Sequence, residues 1–91
     1  MAGSPLRQLP WNSPEGKPCY LSTDDPDSLL SRLADDIEAE LIGCGEEVLG
    51  GAESVLADQA AGERAVRFAL VRTTESLRDV LRVARCRERR V

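Results

Sequence analysis

The chain predicts an all-α fold: an antiparallel two-helix hairpin behind an extended, proline-rich N-terminal arm, pairing with a second copy into a four-helix bundle. Three observations predict it. Apolar residues recur at spacings of three and four over two long segments. Pro5, Pro10, Pro14 and Pro18 punctuate the first 21 residues, where each removes a backbone donor and biases its predecessor away from helix. Between the periodic segments lies a short turn-forming stretch, DQAAGER (58–64). Residues 1–25 are then the arm and 26–91 the hairpin, with helices over about 26–58 and 63–88.

The arm reads as irregular or extended, and CYLS (19–22) has room for a very short strand. It also holds the only tryptophan and tyrosine, Trp11 and Tyr20. Two aliphatic helices have little aromatic mass of their own, and each buried aromatic removes about 150–250 Å² from water. The arm is therefore expected to act as a clip, with Trp11, Tyr20 and Leu21 laid across the open apolar side of the hairpin. A partner-docking motif is the alternative.

A helix start follows in STDDPDSLL (22–30). Asp25 is placed to N-cap, Pro26 suits the first helical position and Asp27 complements the dipole. Leu30, Ala34, Ile37, Leu41, Cys44, Val48 and Val55 then trace one face, with Gly51 in the slot that an apolar residue would occupy. Ile42, Leu49 and Leu56 widen the stripe on one side. Gly43, Gly45, Gly50 and Gly51 oppose this reading, each costing about 1 kcal/mol relative to alanine. The apolar phase runs on through them, so one helix is expected; three helices, broken near Gly50–Gly51, are the alternative. Ala34, Gly45 and Ala52 lie inside the stripe, where small residues let another helix approach closely.

Gly62 is the most permissive position of the turn. In the second helix Val66, Leu70, Thr73, Leu77, Val80, Leu81 and Ala84 trace the inner face. Long amphipathic helices joined by a short turn pack antiparallel. A bare hairpin leaves one side of each wide stripe uncovered, which is the reason to expect a homodimer.

At 91 residues, with one Trp, one Tyr and one Phe, the chain is a single small domain of the size often reinforced by oligomerisation. Cys19, Cys44 and Cys86 make an odd, dispersed set that fits reduced thiols in a cytoplasm. No secretory leader and no membrane-spanning apolar run are read in the chain. There is no histidine, which removes the commonest general acid/base and metal ligand. GCGEEVLGG (43–51) is neither preceded by a strand nor followed by lysine, so it is not a phosphate loop. No catalytic residue, cofactor site or metal site is assigned, and a non-enzymatic protein is expected.

The net charge of −4 conceals a division. Residues 1–63 carry 13 acids and 3 bases, net −10; residues 64–91 carry 9 arginines and 3 acids, net +6. On a helical projection Arg64, Arg67, Arg78, Arg82, Arg85 and Arg89 share a sector about 60° wide. The basic flank of helix two is expected to lie beside the acidic flank of helix one and set the register. A docking surface for an acidic partner is the sharper alternative. Nucleic acid is disfavoured: the chain is acidic overall, and no aromatics interleave the arginines.

Cys44 is read as a small core residue, and Cys86 as pointing away from the apolar face, exposed and open to oxidation. Phe68 also projects outward, to be covered by the arm, held in an oligomer contact or exposed. The adjacent pairs Asp35/Asp36 and Glu46/Glu47 diverge around the helix and are solvated surface. Candidate partner-binding residues are thus Trp11, Tyr20, Leu21, Phe68 and the six arginines.

The order LPW…PEGKPCYLSTDD (9–25), SRLADDIEAE (31–40) and ESLRDVLRVAR (75–85) is similar to small proteins of high-GC actinobacteria. The resemblance covers most of the chain. It implies a bacterial cytoplasmic protein and supplies no catalytic residue to carry over. The function expected is a protein–protein interaction or regulatory module; the alternative is an accessory nucleic-acid-binding protein using the arginine stripe.

Overall fold

The arm folds as a β-hairpin, so the protein is mostly helical rather than purely all-α. A computed structural model describes residues 6–22 and 28–88. Strand β1, Leu6–Asn12, pairs antiparallel with β2, Pro18–Ser22, in the register Arg7↔Leu21 and Gln8↔Tyr20. The turn is built by Ser13, Pro14, Glu15 and Gly16. Gly16 N donates to Ser13 O at 2.8 Å, Ser13 N to Lys17 O at 2.8 Å, and Lys17 N to Ser13 Oγ at 3.2 Å. Pro14 presets φ at the second position and Gly16 takes φ +81°, the left-handed residue that follows a type I turn in a bulged hairpin. Pro10, which has no N–H, sits between Gln8 and Asn12, where the register shifts.

Helix α1, Leu29–Ala57, runs without interruption through all four glycines, and the three-helix alternative falls away. Its N-cap is Ser28, whose side chain accepts from Ser31 N at 3.3 Å. The helix therefore starts three residues later than expected, because a serine hydroxyl satisfies an orphan first-turn donor as well as Asp25 would. Asp25, Pro26 and Asp27 lie outside the described residues. At the other end Asp58 N donates to Val55 O at 3.2 Å, and Asp58 Oδ1 accepts from Ala60 N at 2.9 Å. The connection is thus an aspartate-centred turn. Gly62 starts α2 by accepting from Val66 N at 3.1 Å. Helix α2, Glu63–Glu88, has Glu63 in its first turn and Arg85 and Arg87 in its last, both favourable to the dipole.

The helices run antiparallel. Glu38 meets Arg87, and a Cβ on Gly45 would stand 3.2 Å from Val80 Cγ2 and 3.3 Å from Ser76 Oγ. Small residues do let α2 approach here. The contact row of α1 is Glu38, Gly45 and Ala52, one step around from the centre of the apolar stripe. Cys44 is consequently displaced to the rim and is exposed, contrary to its expected place in the core. Val66, Leu70, Leu77 and Leu81, expected on the inner face of α2, are all 46% exposed or more. Within the hairpin α2 turns Ala69, Thr73, Ser76 and Val80 toward α1, each half-buried.

Among the described residues the buried side chains lie at one end, where α1 begins and α2 ends. They are Leu9, Ala34, Val83 and Cys86, with Arg7, Gln8, Ser31 and Glu38, and Pro10 beside them. The β-hairpin covers this end, and Cys86 Sγ donates to Leu9 O at 3.4 Å. That contact reverses the expectation for Cys86: the face of α2 that points away from α1 here is covered by β1. Between residues 39 and 82 no side chain is fully buried. The molecule measures 61 × 26 × 21 Å, a rod with its core at one tip.

Thiol chemistry reports this asymmetry. Under native conditions Cys44 is expected to react with a small disulfide reagent at once. Cys86, 0% exposed, should lag at least about a hundredfold, because it is reached only by opening the tip. Equal rates measured by mass spectrometry would show that the tip is not closed.

Candidate interaction surface

Strand geometry decides which arm residues meet the helices. Successive residues point to opposite faces of a strand, so Tyr20 and Leu21 cannot both face the hairpin. Leu21 lies opposite Arg7, and Tyr20 opposite Gln8. Leu21 and Trp11 are half-buried, and Tyr20 is exposed. The expected clip of Trp11, Tyr20 and Leu21 cannot form with all three on one face. The arm does grip the hairpin, but through Arg7 and Leu9, and at its tip rather than along its open side.

Arg7 is the anchor. Its Nη1 donates to Ser31 O at 2.9 Å and its Nη2 to Asp35 Oδ1 at 2.7 Å, with Glu38 Oε2 at 3.6 Å. Glu38, 1% exposed, is held from the other side by Arg87 Nε at 3.3 Å. Two cations thus flank one buried carboxyl group, tying β1, α1 and α2 together. Nothing in the residue pattern of the arm singled out Arg7, which stands alone among apolar and neutral neighbours.

Beyond the tip the hairpin has two open sides. On one, Ile42, Leu49 and Leu56 of α1 face Val66, Leu70 and Leu77 of α2. Two adjoining grooves run here, of about 300 Å³ over Ile42, Leu49 and Leu77 and about 440 Å³ over Leu56, Val66 and Leu70. Leu49, Leu56, Val66, Leu70 and Leu77 are 50–83% exposed. The face runs roughly 21 Å from Ile42 to Leu56, at 1.5 Å per residue. It ends at the Arg7–Asp35 pair on one side and at the 58–62 turn on the other. The opposite side has a groove of similar size, about 290 Å³, lined by Val48, Val55 and Phe68 together with Glu47 and Arg72. Phe68 is 66% exposed, and the β-hairpin does not reach it.

The structure moves the arginine stripe. With α2 turning its 69–73–76–80 row toward α1, Arg64, Arg67, Arg78, Arg82 and Arg85 project from the back of α2, roughly opposite α1. Arg82 pairs with Asp79 on its own helix at 3.5 Å. Among the described residues no ion pair within 4 Å engages Arg64, Arg67, Arg78 or Arg85. The expected register-setting contact with α1 is therefore absent for this row; Arg87, outside the stripe, makes the cross-helix pair. Arg89 lies outside the described residues.

No family model, curated protein or solved structure matches this chain. The site must therefore be read from its own chemistry. Among the described residues no three His, Cys, Asp or Glu side chains are grouped to hold a metal ion, and no helix is long and apolar enough to cross a membrane. What remains is an apolar face with charged edges and an outward row of arginines.

Proposed function

We propose that this protein is a non-enzymatic protein–protein interaction or regulatory module of a bacterial cytoplasm, acting through the helical surface that its N-terminal β-hairpin holds in place. One observation carries the reading. Among the described residues the hairpin keeps its buried side chains at one tip and leaves five large aliphatic side chains, Leu49, Leu56, Val66, Leu70 and Leu77, without a cover on one side. A contiguous apolar surface free of charge along its middle marks a site of association. The bland alternative, that these are scattered surface aliphatics, does not account for their alignment on both helices and on the same side.

The test uses the full chain as bait, beside a Leu70→Glu/Leu77→Glu variant. Both leucines are more than half exposed, so the variant keeps the hairpin and removes the face. Wild type is expected to retain a stoichiometric protein, a second copy of itself included, which the variant does not retain. Equal retention by the two chains overturns the reading.

The outward placement of Arg64, Arg67, Arg78 and Arg85 supports a second reading, a contact with nucleic acid along the back of α2. Binding of that kind falls steeply with salt, because each phosphate contact releases counterions. Failure to shift single- or double-stranded nucleic acid at low salt would remove it. Against it stands the acidic back of α1, with Asp36 and Glu40 exposed; Phe68, which shares a groove with Arg64, Arg67 and Val71, is the single aromatic beside the stripe.

A further inference from the structure

We infer that the occupant of the open face is a second copy of this chain, stacked so that α1 of each copy lies on α2 of the other. This rests on the interaction-module reading above and adds the partner and its orientation to it.

The face is edged by opposite charges. Glu46, at the rim of the groove over Leu49 and Leu77, and Glu53 one heptad later border it along α1. Along α2 the nearest basic residues are Arg67 and Arg78, set toward the back of the helix about 60–100° around from Leu70 and Leu77. All four are exposed, and among the described residues none makes an ion pair within 4 Å. One edge is acidic and the other basic, so the face is complementary to itself in one orientation only.

Two hairpins can close such a face about a two-fold axis in two ways. An axis across the helices sets α1 on α1, bringing acid edge to acid edge and base edge to base edge. An axis along the helices sets α1 on α2 of the other copy, and each acid edge meets a base edge, twice. Like charges brought together in an interface are strongly disfavoured, so the second arrangement is selected.

The registry follows from the hairpin itself. Gly45 is level with Ser76 and Val80, and Glu38 with Arg87. A two-fold axis along the helices preserves height. Glu46 therefore arrives level with Arg78 of the second copy, and Glu53 within about one turn of its Arg67. Leu49 and Leu56 are carried over Leu77 and Leu70, and both β-hairpins stand at the same end of the bundle. On the opposite side Glu47 and Arg72 line the groove, and Arg72 is already paired with Glu75 of its own helix at 3.5 Å. An unrelated partner would need only one of the two edges; the presence of both, in the orientation that closes under two-fold symmetry, points to self-pairing.

Charge reversal tests the partner and the orientation together. The measurement is mass by sedimentation equilibrium over micromolar to hundreds of micromolar chain, with helicity checked by circular dichroism. Wild type is expected to form a dimer of the 9.9 kDa chain. Glu46→Arg/Glu53→Arg alone, and Arg67→Glu/Arg78→Glu alone, should each self-associate at least about tenfold more weakly, since every edge contact becomes repulsive. An equimolar mixture of the two should form a one-to-one heterodimer. Homodimerisation of Glu46→Arg/Glu53→Arg as tight as that of wild type overturns the α1-on-α2 arrangement while leaving self-association standing. A wild-type chain that stays monomeric overturns the second copy as partner, and the interaction-module reading is then decided separately by what the wild-type bait retains.

Discussion

Arg7→Ala is expected to destabilise the fold by about 3–5 kcal/mol, the usual cost of stripping one partner from a buried ion pair. Three losses combine. Ser31 O loses its donor, Asp35 its 2.7 Å contact, and Glu38, 1% exposed, one of its two cations. Arg87 remains beside Glu38, but its side chain is 54% exposed, so water screens it and it cannot replace a buried guanidinium. For a chain of this length each kcal/mol moves the melting temperature by about 4–8 °C, so a fall of well over 10 °C should be seen. The β-hairpin should also detach, because Arg7 is its polar hold on α1. The double variant Arg7→Met/Glu38→Leu separates charge pairing from shape. It removes the buried carboxyl group together with its partner and with Arg7 Nε, a buried donor that has no hydrogen-bond partner among the described residues. Buried ion pairs replaced whole by apolar groups are often near neutral, and the charges left behind, on Asp35 and Arg87, are both more than half exposed. The double variant should therefore melt within a few degrees of wild type. A single Arg7→Ala variant that melts unchanged would show that the anchor does not hold the tip.

The helices were legible because their signal is distributed. Ten apolar positions on one side of the helix outvote four glycines, and α1 runs through them. The short strand read at 19–22 is present as β2, but β1 and the pairing were missed because their signal is local and was masked by the prolines. Within SPEGK, Pro14 and Gly16 stand at the two positions that a bulged type I turn requires, but four prolines in 21 residues also describe an irregular chain. That omission propagated. Without the hairpin Cys86 lies on the outward side of α2, and Trp11, Tyr20 and Leu21 can all be drawn to one face. With it, strand alternation divides Tyr20 from Leu21, and β1 covers Cys86. Cys44 was misplaced for another reason. Periodicity locates the centre of an apolar stripe, whereas packing is set by where the partner can come closest. Gly45 and Ala52 offer α2 a shallower surface than Cys44 does, so the contact row shifts by one residue. The arginine row followed the same rotation, from a supposed flank to the back of α2. Arg7 had no sequence signal at all: one arginine in a strand becomes an anchor only when tertiary contact brings Ser31, Asp35 and Glu38 around it.

Replacing Gly43, Gly50 and Gly51 together by alanine is expected to raise stability by about 2–3 kcal/mol. Each glycine sits inside α1, each loses more backbone entropy on folding than alanine would, and the usual difference is about 1 kcal/mol per site. No steric term opposes the gain, because a Cβ at any of the three meets nothing within 4 Å. For a chain of this size the melting temperature should rise by about 8–24 °C. Gly45 is the internal control. There a Cβ would press on Val80 Cγ2 at 3.2 Å and Ser76 Oγ at 3.3 Å, so Gly45→Ala sets the same propensity gain against a tight contact and should change little. Gly45→Leu should lose stability, since overpacking of a close contact typically costs about 1–3 kcal/mol. The contrast separates two reasons for glycine in a helix. At 45 the missing side chain sets the distance between α1 and α2. At 43, 50 and 51 it sets nothing within the hairpin, and the stability forgone there is recoverable by calorimetry on the folded chain. If the triple variant gains nothing while Gly45→Leu is tolerated, the helices do not pack along the Gly45 row, and the face assigned to Leu49, Leu70 and Leu77 would rotate with them.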